Sequence, residues 1–162
     1  MDALPPAVVQ VSTEAPRPVP TRPDVTTFRP IALKPSAVGH FHAQGQLNGR
    51  PIEIIIDTGA SNTVVDRQWA EAQRLPLVPI DQTGGGVGGA SMALARVDGA
   101  ILEIEGVLLH GVPVIAIDLT SVAQQLKARG VVPPQLVIGA DVLRSRRAVI
   151  DYATATLWLA PS

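Results

Sequence analysis

The chain has 162 residues, of which 46% are hydrophobic and 17% charged, and its formal net charge is -1. This length fits one domain with a hydrophobic core, and the near-zero charge gives no basic field to attract nucleic acid or an anionic membrane. The chain has no cysteine, and His40, His42 and His110 lack zinc-site spacing, so we expect no disulfide, no thiol nucleophile, no metal and no cofactor.

Proline dominates the N-terminal stretch. Eight of the 15 prolines lie within the first 35 residues, whereas the first glycine is Gly39. Because proline fixes φ and removes backbone donors, we expect residues 1–36 to form an extended arm or linker ahead of one domain at 37–162. Composition favours a disordered leader before about Thr26, and an arm docked on the domain is the alternative. The chain shows neither a signal-peptide pattern nor the roughly 20 apolar residues of a membrane span.

The next segment predicts a β-hairpin. Residues 37–47 alternate between apolar and polar side chains, so we expect a half-exposed strand with its two histidines on the solvated face. Asn48-Gly49 favours a type I′ turn, and the β-branched run from Ile52 to Ile56 predicts a buried returning strand. This strand leads into Asp57, a carboxylate that is costly to bury without a function.

A short strand at 63–65 precedes Asp66, which is suited to cap a helix through about Arg74. Beyond it, five glycines occupy six positions: Gly84, Gly85, Gly86, Val87, Gly88 and Gly89. A phosphate-binding loop would need a helix and a Lys-Ser or Lys-Thr pair directly after these glycines, and the sequence has neither. We therefore interpret this segment as a mobile cover over a site, followed by a strand at 92–97.

The C-terminal half predicts mostly short strands with two short helices. The predicted strands lie at 100–105, 107–109, 112–117, 135–139, 148–150 and 156–159, and the predicted helices at 121–129 and 140–146.

Two motifs resemble a known family. The first motif is Asp57-Thr58-Gly59-Ala60-Ser61, which follows a hydrophobic strand and resembles the active-site signature of aspartic proteases. Because this short chain has a single copy of the motif, it resembles the retropepsin-like branch of these proteases. Val137-Ile138-Gly139 resembles the element that packs behind the catalytic loop in that family. The resemblance covers roughly residues 38–159. It implies a mostly β, closed retropepsin-like (acid protease) β-barrel with one or two short helices and a Gly-rich flap hairpin, for which residues 82–95 are the candidate.

The resemblance implies an aspartic endopeptidase that hydrolyses a polypeptide in extended conformation, with Asp57 as the catalytic residue. Such hydrolysis needs two carboxylates that share one proton, and one chain supplies one, so a homodimer is expected. The motif implies that Thr58 hydrogen-bonds across the dimer, that Gly59 admits the substrate backbone, and that Ser61 contacts the outer carboxylate oxygen. We interpret the other aspartates as turn or cap residues: Asp66, Asp118, Asp141 and Asp151.

Two other functions stay open. One is a retropepsin fold without proteolysis, acting as a dimerisation or peptide-binding module that grips an extended segment by strand addition. The weaker alternative is a nucleotide site at the glycine-rich segment, although no basic residue follows where one is needed. The resemblance favours a periplasmic or membrane-anchored soluble domain, anchored through a segment outside this sequence, and a cytoplasmic location is the alternative.

Overall fold

A computed structural model of the chain describes residues 15–16, 18–19, 21–80 and 94–161. The described residues form short strands and three short helices. The strands are β1 (Arg29–Ala32), β2 (Lys34–Pro35), β3 (Phe41–Leu47), β4 (Arg50–Ile56), β5 (Val64–Asp66), β6 (Leu77–Pro79), β7 (Ala95–Val97), β8 (Leu102–Ile104), β9 (Val107–Leu109), β10 (Ile115–Ile117), β11 (Leu136–Ile138), β12 (Val149–Asp151) and β13 (Thr156–Leu159). The helices are α1 (Arg67–Ala72), α2 (Thr120–Ala128) and α3 (Ala140–Ser145).

The larger sheet places its strands in the order β6-β7-β10-β5-β11-β4-β3-β8-β9, and β2 pairs with β3. At its centre, β11 runs parallel to β4 and antiparallel to β5. The sheet curls into a half-barrel, which confirms the mostly β prediction. The closed barrel stays a prediction. The described residues contain three short helices at the three places predicted from the residues, rather than the one or two that the resemblance implies.

The β3–β4 hairpin forms as expected. Its strands pair from Phe41 opposite Ile56 to Leu47 opposite Arg50. Asn48 and Gly49 connect them with φ values of 48° and 75°, the left-handed conformation that a type I′ turn requires. The turn thus sets the register that delivers Ile56, and the residue after it, to one end of the sheet.

One expectation about this hairpin is wrong. His42 is buried rather than solvated, with 6% of its surface exposed, and its Nδ1 lies 3.2 Å from Glu53 Oε1. Phe41 and Ala43, on the opposite face, are buried as well. Both faces of β3 are therefore covered at this end, so the alternation of polar and apolar side chains does not mark a solvated face there.

Part of the proline-rich stretch belongs to the folded body. β1 pairs antiparallel with β13, which also pairs with β12 in a second, three-stranded sheet. Ile31 and Leu33 are buried in the main core. Pro30 does not prevent this pairing because β1 is an edge strand, where a missing N–H is tolerated. Within the described ranges, no helix is long and apolar enough to cross a bilayer.

Candidate active site

Asp57 lies at the end of β4, next to the central strand β11. Its backbone N–H donates a 2.9 Å hydrogen bond to the Ile138 carbonyl, which extends the β4–β11 pairing by one residue. The Asp57 side chain is exposed, because the buried strand ends one residue earlier. The expected cost of burying this carboxylate therefore does not arise in the single chain. Its position places the carboxylate at the end of an interior strand of the sheet.

The Asp-Thr-Gly turn holds the carboxylate in place. Gly59 N donates to Asp57 Oδ1 at 2.9 Å, and Ala60 N donates to the Asp57 carbonyl at 3.2 Å. Within the described ranges, the bond from Gly59 N is the one hydrogen bond that the Asp57 carboxylate accepts, and Ser61 donates none to it. Thr58, Gly59 and Ser61 are exposed, and Ala60 is half-buried. The loop thus presents one side of the carboxylate outward.

The segment Val137-Ile138-Gly139 lies against this loop. Val137 and Ile138 pair in register with Ile55 and Ile56 of β4. A Cβ at Gly139 would lie 2.5 Å from the Asn62 carbonyl oxygen and 2.8 Å from that of Ala60. Because both atoms belong to the backbone, no side chain fits here without moving the loop.

Two residues that the sequence analysis did not assign to the site hold the far end of the loop. Thr63 has no exposed surface. Its N–H donates to Asp141 Oδ2 at 3.0 Å, and its Oγ1 donates to Asp141 Oδ1 at 2.8 Å. Thr63 Oγ1 also accepts a 3.1 Å hydrogen bond from Gly139 N. Asp141 is therefore an anchor of the Asp57 loop as well as an N-terminal residue of α3, where Val142 N donates to it.

Local sequence offers one signal for this contact. A buried threonine needs a hydrogen-bond partner, and an aspartate directly after the Gly139-Ala140 pair is close to the loop if Gly139 packs behind it. The two residues are 78 positions apart, so only the β4–β11 pairing brings them together.

The other three aspartates have the structural roles predicted for them. Asp66 caps α1 by accepting from Trp69 N at 3.0 Å, and its other oxygen accepts from Leu119 N at 3.1 Å. Hydrogen bonds from the Thr120 side chain and backbone lower the pKa of the Asp118 carboxyl. Hydrogen bonds from Thr154, above all from its side chain, similarly lower the pKa of Asp151.

A pocket of about 190 Å³ opens beside Asp57. We call it the Asp57 pocket, and its lining residues are His40, Ile55, Asp57, Val122, Gln125, Leu126, Arg129, Pro134 and Val137. Its lining combines strands β4 and β11 with one side of α2. In the part of the chain that the structure describes, no three His, Asp or Glu residues form a metal-binding group.

The predicted flap lies outside the described residues. Gly84, Gly85, Gly86, Val87, Gly88 and Gly89 all fall in the range 81–93. The strand predicted beyond them is present as β7, which begins at Ala95. The flap therefore stays a prediction.

Residues 43–142 match the family model described as aspartyl protease. The chain belongs to this family. The matched range contains the Asp57 loop, the segment at Gly139 and both anchor residues, Thr63 and Asp141. This confirms the resemblance drawn from the sequence, and membership of the aspartyl protease family supports a protease-type hydrolase function.

Three solved structures of retropepsin-like or retroviral proteases are similar to this chain. A retropepsin-like aspartic protease from Rickettsia conorii is 18% identical, with a TM-score of 0.49 over 82% of this chain and 90% of that one. The retroviral protease-like domain of Ddi1 from Leishmania major is 18% identical, with a TM-score of 0.44 over 73% of this chain and 86% of that one. EIAV protease, in complex with the inhibitor HBY-793, is 15% identical, with a TM-score of 0.47 over 69% of this chain and 92% of that one. No curated protein matches the chain. The family assignment rests on the aspartyl protease model and not on these structural similarities.

Proposed function

We propose that this chain is an aspartic endopeptidase that acts as a homodimer, with Asp57 of each copy forming one catalytic pair. The observation that carries the proposal is the exposed Asp57 carboxylate on an intact Asp-Thr-Gly loop, held by Gly59 N on one oxygen. Among the described residues no hydrogen bond reaches Asp57 Oδ2. This arrangement supports a site in which that oxygen meets a second carboxylate.

In the proposed mechanism the two Asp57 carboxylates share one proton, because the repulsion between two negative charges in contact keeps one of the two carboxyl groups protonated. The charged carboxylate takes a proton from a water molecule as the water oxygen attacks the scissile carbonyl carbon. The protonated carboxyl polarises the carbonyl oxygen and stabilises the tetrahedral intermediate. As the C–N bond breaks, the carboxyl that took the proton from water gives it to the leaving amine nitrogen.

The loop residues take the roles that the motif implies. Thr58 hydrogen-bonds across the dimer beneath the carboxylate pair, and Gly59 lets the substrate backbone approach. Ser61 contacts the outer carboxylate oxygen once the second copy has ordered the site. Residues 84–89 cover the bound peptide as a flap, and an extended peptide is the substrate conformation that such a cleft accepts.

The first test is replacement of the proposed catalytic residue. Asp57→Asn keeps the shape of the side chain and removes its charge, so we expect cleavage of an unfolded protein substrate at mildly acidic pH to be lost. The matched control is Asp98→Asn, which removes an exposed carboxylate that pairs with Arg96 on the surface. Circular dichroism and a melting curve check that both variants stay folded. Activity of Asp57→Asn equal to that of the unaltered chain contradicts the proposal.

The second test concerns assembly. Sedimentation equilibrium of the active protein is expected to show a dimer, because one chain contains one Asp-Thr-Gly. A strict monomer with full activity contradicts the two-carboxylate mechanism. An intact dimer that binds peptides without cleaving them supports the peptide-binding alternative instead.

A further inference from the structure

We propose that a second pocket, which contains no residue of the Asp57 loop, binds a small organic anion whose charged head is a phosphate monoester. We call it the Arg29 pocket. Its volume is about 290 Å³, and its lining includes Arg29, Val107, Leu108, His110, Arg146 and Pro161. The inference concerns binding alone, so it does not depend on the proposed function.

The Arg29 pocket lies where the larger sheet meets the three-stranded sheet. β9, the last strand of the larger sheet, contributes two lining residues. Arg29 begins β1 of the three-stranded sheet, and Pro161 follows β13 of the same sheet. β8, the neighbour of β9, pairs with β3 next to the Asn48-Gly49 turn, whereas Asp57 follows the other end of the hairpin. The Arg29 pocket and the Asp57 pocket accordingly have no lining residue in common.

Positive charge is concentrated in this pocket. Arg29 and Arg146 each carry a permanent charge, and His110 adds an imidazole. None of the described lining residues is an aspartate or a glutamate. The carboxylate of Glu105, in the turn that precedes β9, instead accepts a hydrogen bond from Gln44 N at 2.9 Å. Because the whole chain has a formal net charge of -1, the positive charge is a local property of this pocket and favours an anionic ligand.

The fold brings the two arginines to one place. Arg146 is 9% exposed. Its N–H donates to a carbonyl of α3 at 3.0 Å, and its carbonyl accepts from Ala160 N at 2.8 Å. The guanidinium carbon of Arg147 lies 5.8 Å from the centre of the Phe28 ring, so the start of β1 lies next to the end of α3. Two guanidinium groups that line one pocket can each offer a fork of N–H donors to an oxyanion.

Donors in the pocket are available to a ligand. Among the described residues, the side chains of Arg29 and His110 form no hydrogen bond and no ion pair. Both residues are exposed. A ligand can therefore reach them without breaking a contact of the folded chain.

The charge and the size of the pocket together match an organic phosphate. A phosphate monoester carries a charge of about -1.5 to -2 at neutral pH, which two arginines balance. The volume of about 290 Å³ exceeds the roughly 150 Å³ that holds a benzene-sized group, so a ring fits beside the phosphate. Val107, Leu108 and Pro161 supply apolar surface for that ring, and Leu108 keeps 42% of its surface exposed.

The experiment titrates the ¹⁵N-labelled chain with phenyl phosphate in a buffer free of phosphate. The amide signals of Gly106, Leu108 and His110 report the Arg29 pocket. We expect these signals to shift and saturate with a Kd of about 1 mM or tighter. Inorganic phosphate should bind more weakly because it lacks the ring, and phenol should not bind because it lacks the charge.

Two variants and a matched control test the arginines. Arg29→Gln removes one charge from an exposed residue and should raise the Kd for phenyl phosphate about tenfold or more. Arg146→Lys keeps the charge but removes the planar fork, so it should also weaken binding. The control is Arg50→Gln, which alters an exposed arginine outside the lining and should leave the Kd unchanged. Melting curves check that each variant is folded, and Arg29→Gln decides the test if Arg146→Lys does not fold.

A saturable shift that Arg29→Gln weakens and Arg50→Gln does not supports the proposal. Absence of saturation overturns it, and so does equal weakening in Arg29→Gln and Arg50→Gln, which indicates general charge attraction. Shifts centred on Thr58 and Val122 instead place the ligand beside Asp57 and also overturn it. Inorganic phosphate that binds as tightly as phenyl phosphate contradicts an organic ligand. A heptapeptide with a central phosphotyrosine that binds more tightly than phenyl phosphate contradicts a small-molecule ligand and indicates a phosphorylated protein.

Discussion

The contact between Thr63 and Asp141 gives the sharpest test of how the fold positions Asp57. Thr63→Val keeps the shape of the side chain but removes the hydroxyl that donates to Asp141 at 2.8 Å and accepts from Gly139 N at 3.1 Å. One lost bond involves a carboxylate, and the other leaves a buried N–H without its acceptor. The expected loss in free energy of unfolding is about 2–4 kcal/mol.

Thr63→Ser is the matched control, since it keeps the hydroxyl and removes one buried methyl group at a cost of about 1 kcal/mol. Urea denaturation at a fixed chain concentration measures both variants, because the apparent stability of the proposed homodimer would depend on concentration. An unchanged m-value shows that the midpoint reports stability. If Thr63→Val loses no more free energy of unfolding than Thr63→Ser, the hydroxyl does not hold the Asp57 loop and the reasoning fails.

Two further predictions concern neighbouring elements. Gly139→Ala places a methyl group 2.5 Å from the Asn62 carbonyl oxygen, so we expect it to lower the free energy of unfolding by about 1–3 kcal/mol and to reduce cleavage; unchanged denaturation and activity contradict this. Hydrogen bonds from Thr120 lower the pKa of the Asp118 carboxyl below its ordinary value. The contribution of this carboxylate to stability is therefore present above the ordinary pKa of an aspartate and is lost as the pH falls through the lower pKa of the folded chain. Melting temperatures between about pH 2 and pH 6 should thus show the difference from Asp118→Ala shrinking in acid, and a pH-independent difference would refute the effect.

Local patterns predict the elements that carry the site. The β-branched run before Asp57 forms β4, the Asn48-Gly49 pair forms the turn, and Asp66 caps α1. Each of these depends on residues adjacent in sequence, so short-range physical rules suffice. The resemblance predicts that Val137-Ile138-Gly139 packs behind the loop, and in the structure Gly139 lies against the Asn62 and Ala60 carbonyls.

The features that local patterns miss depend on distant pairings. Thr63 and Asp141 meet only because β11 inserts between β4 and β5. His42 is buried because both faces of β3 are covered at this end, and its Nδ1 lies 3.2 Å from Glu53 Oε1 on the adjacent strand. The Asp57 pocket likewise brings residues between 122 and 129 next to Ile55 and Val137, which no local periodicity reveals.

The most direct test of the central claim mixes unaltered chain with Asp57→Asn chain and measures cleavage after the subunits have exchanged. If each site needs Asp57 from both copies, an equal mixture should lower the activity per unaltered chain to about half, and a large excess of the variant should abolish it. Sedimentation of Asp57→Asn alone checks that the variant still dimerises. Activity that stays constant as the variant is added contradicts a site shared between two copies.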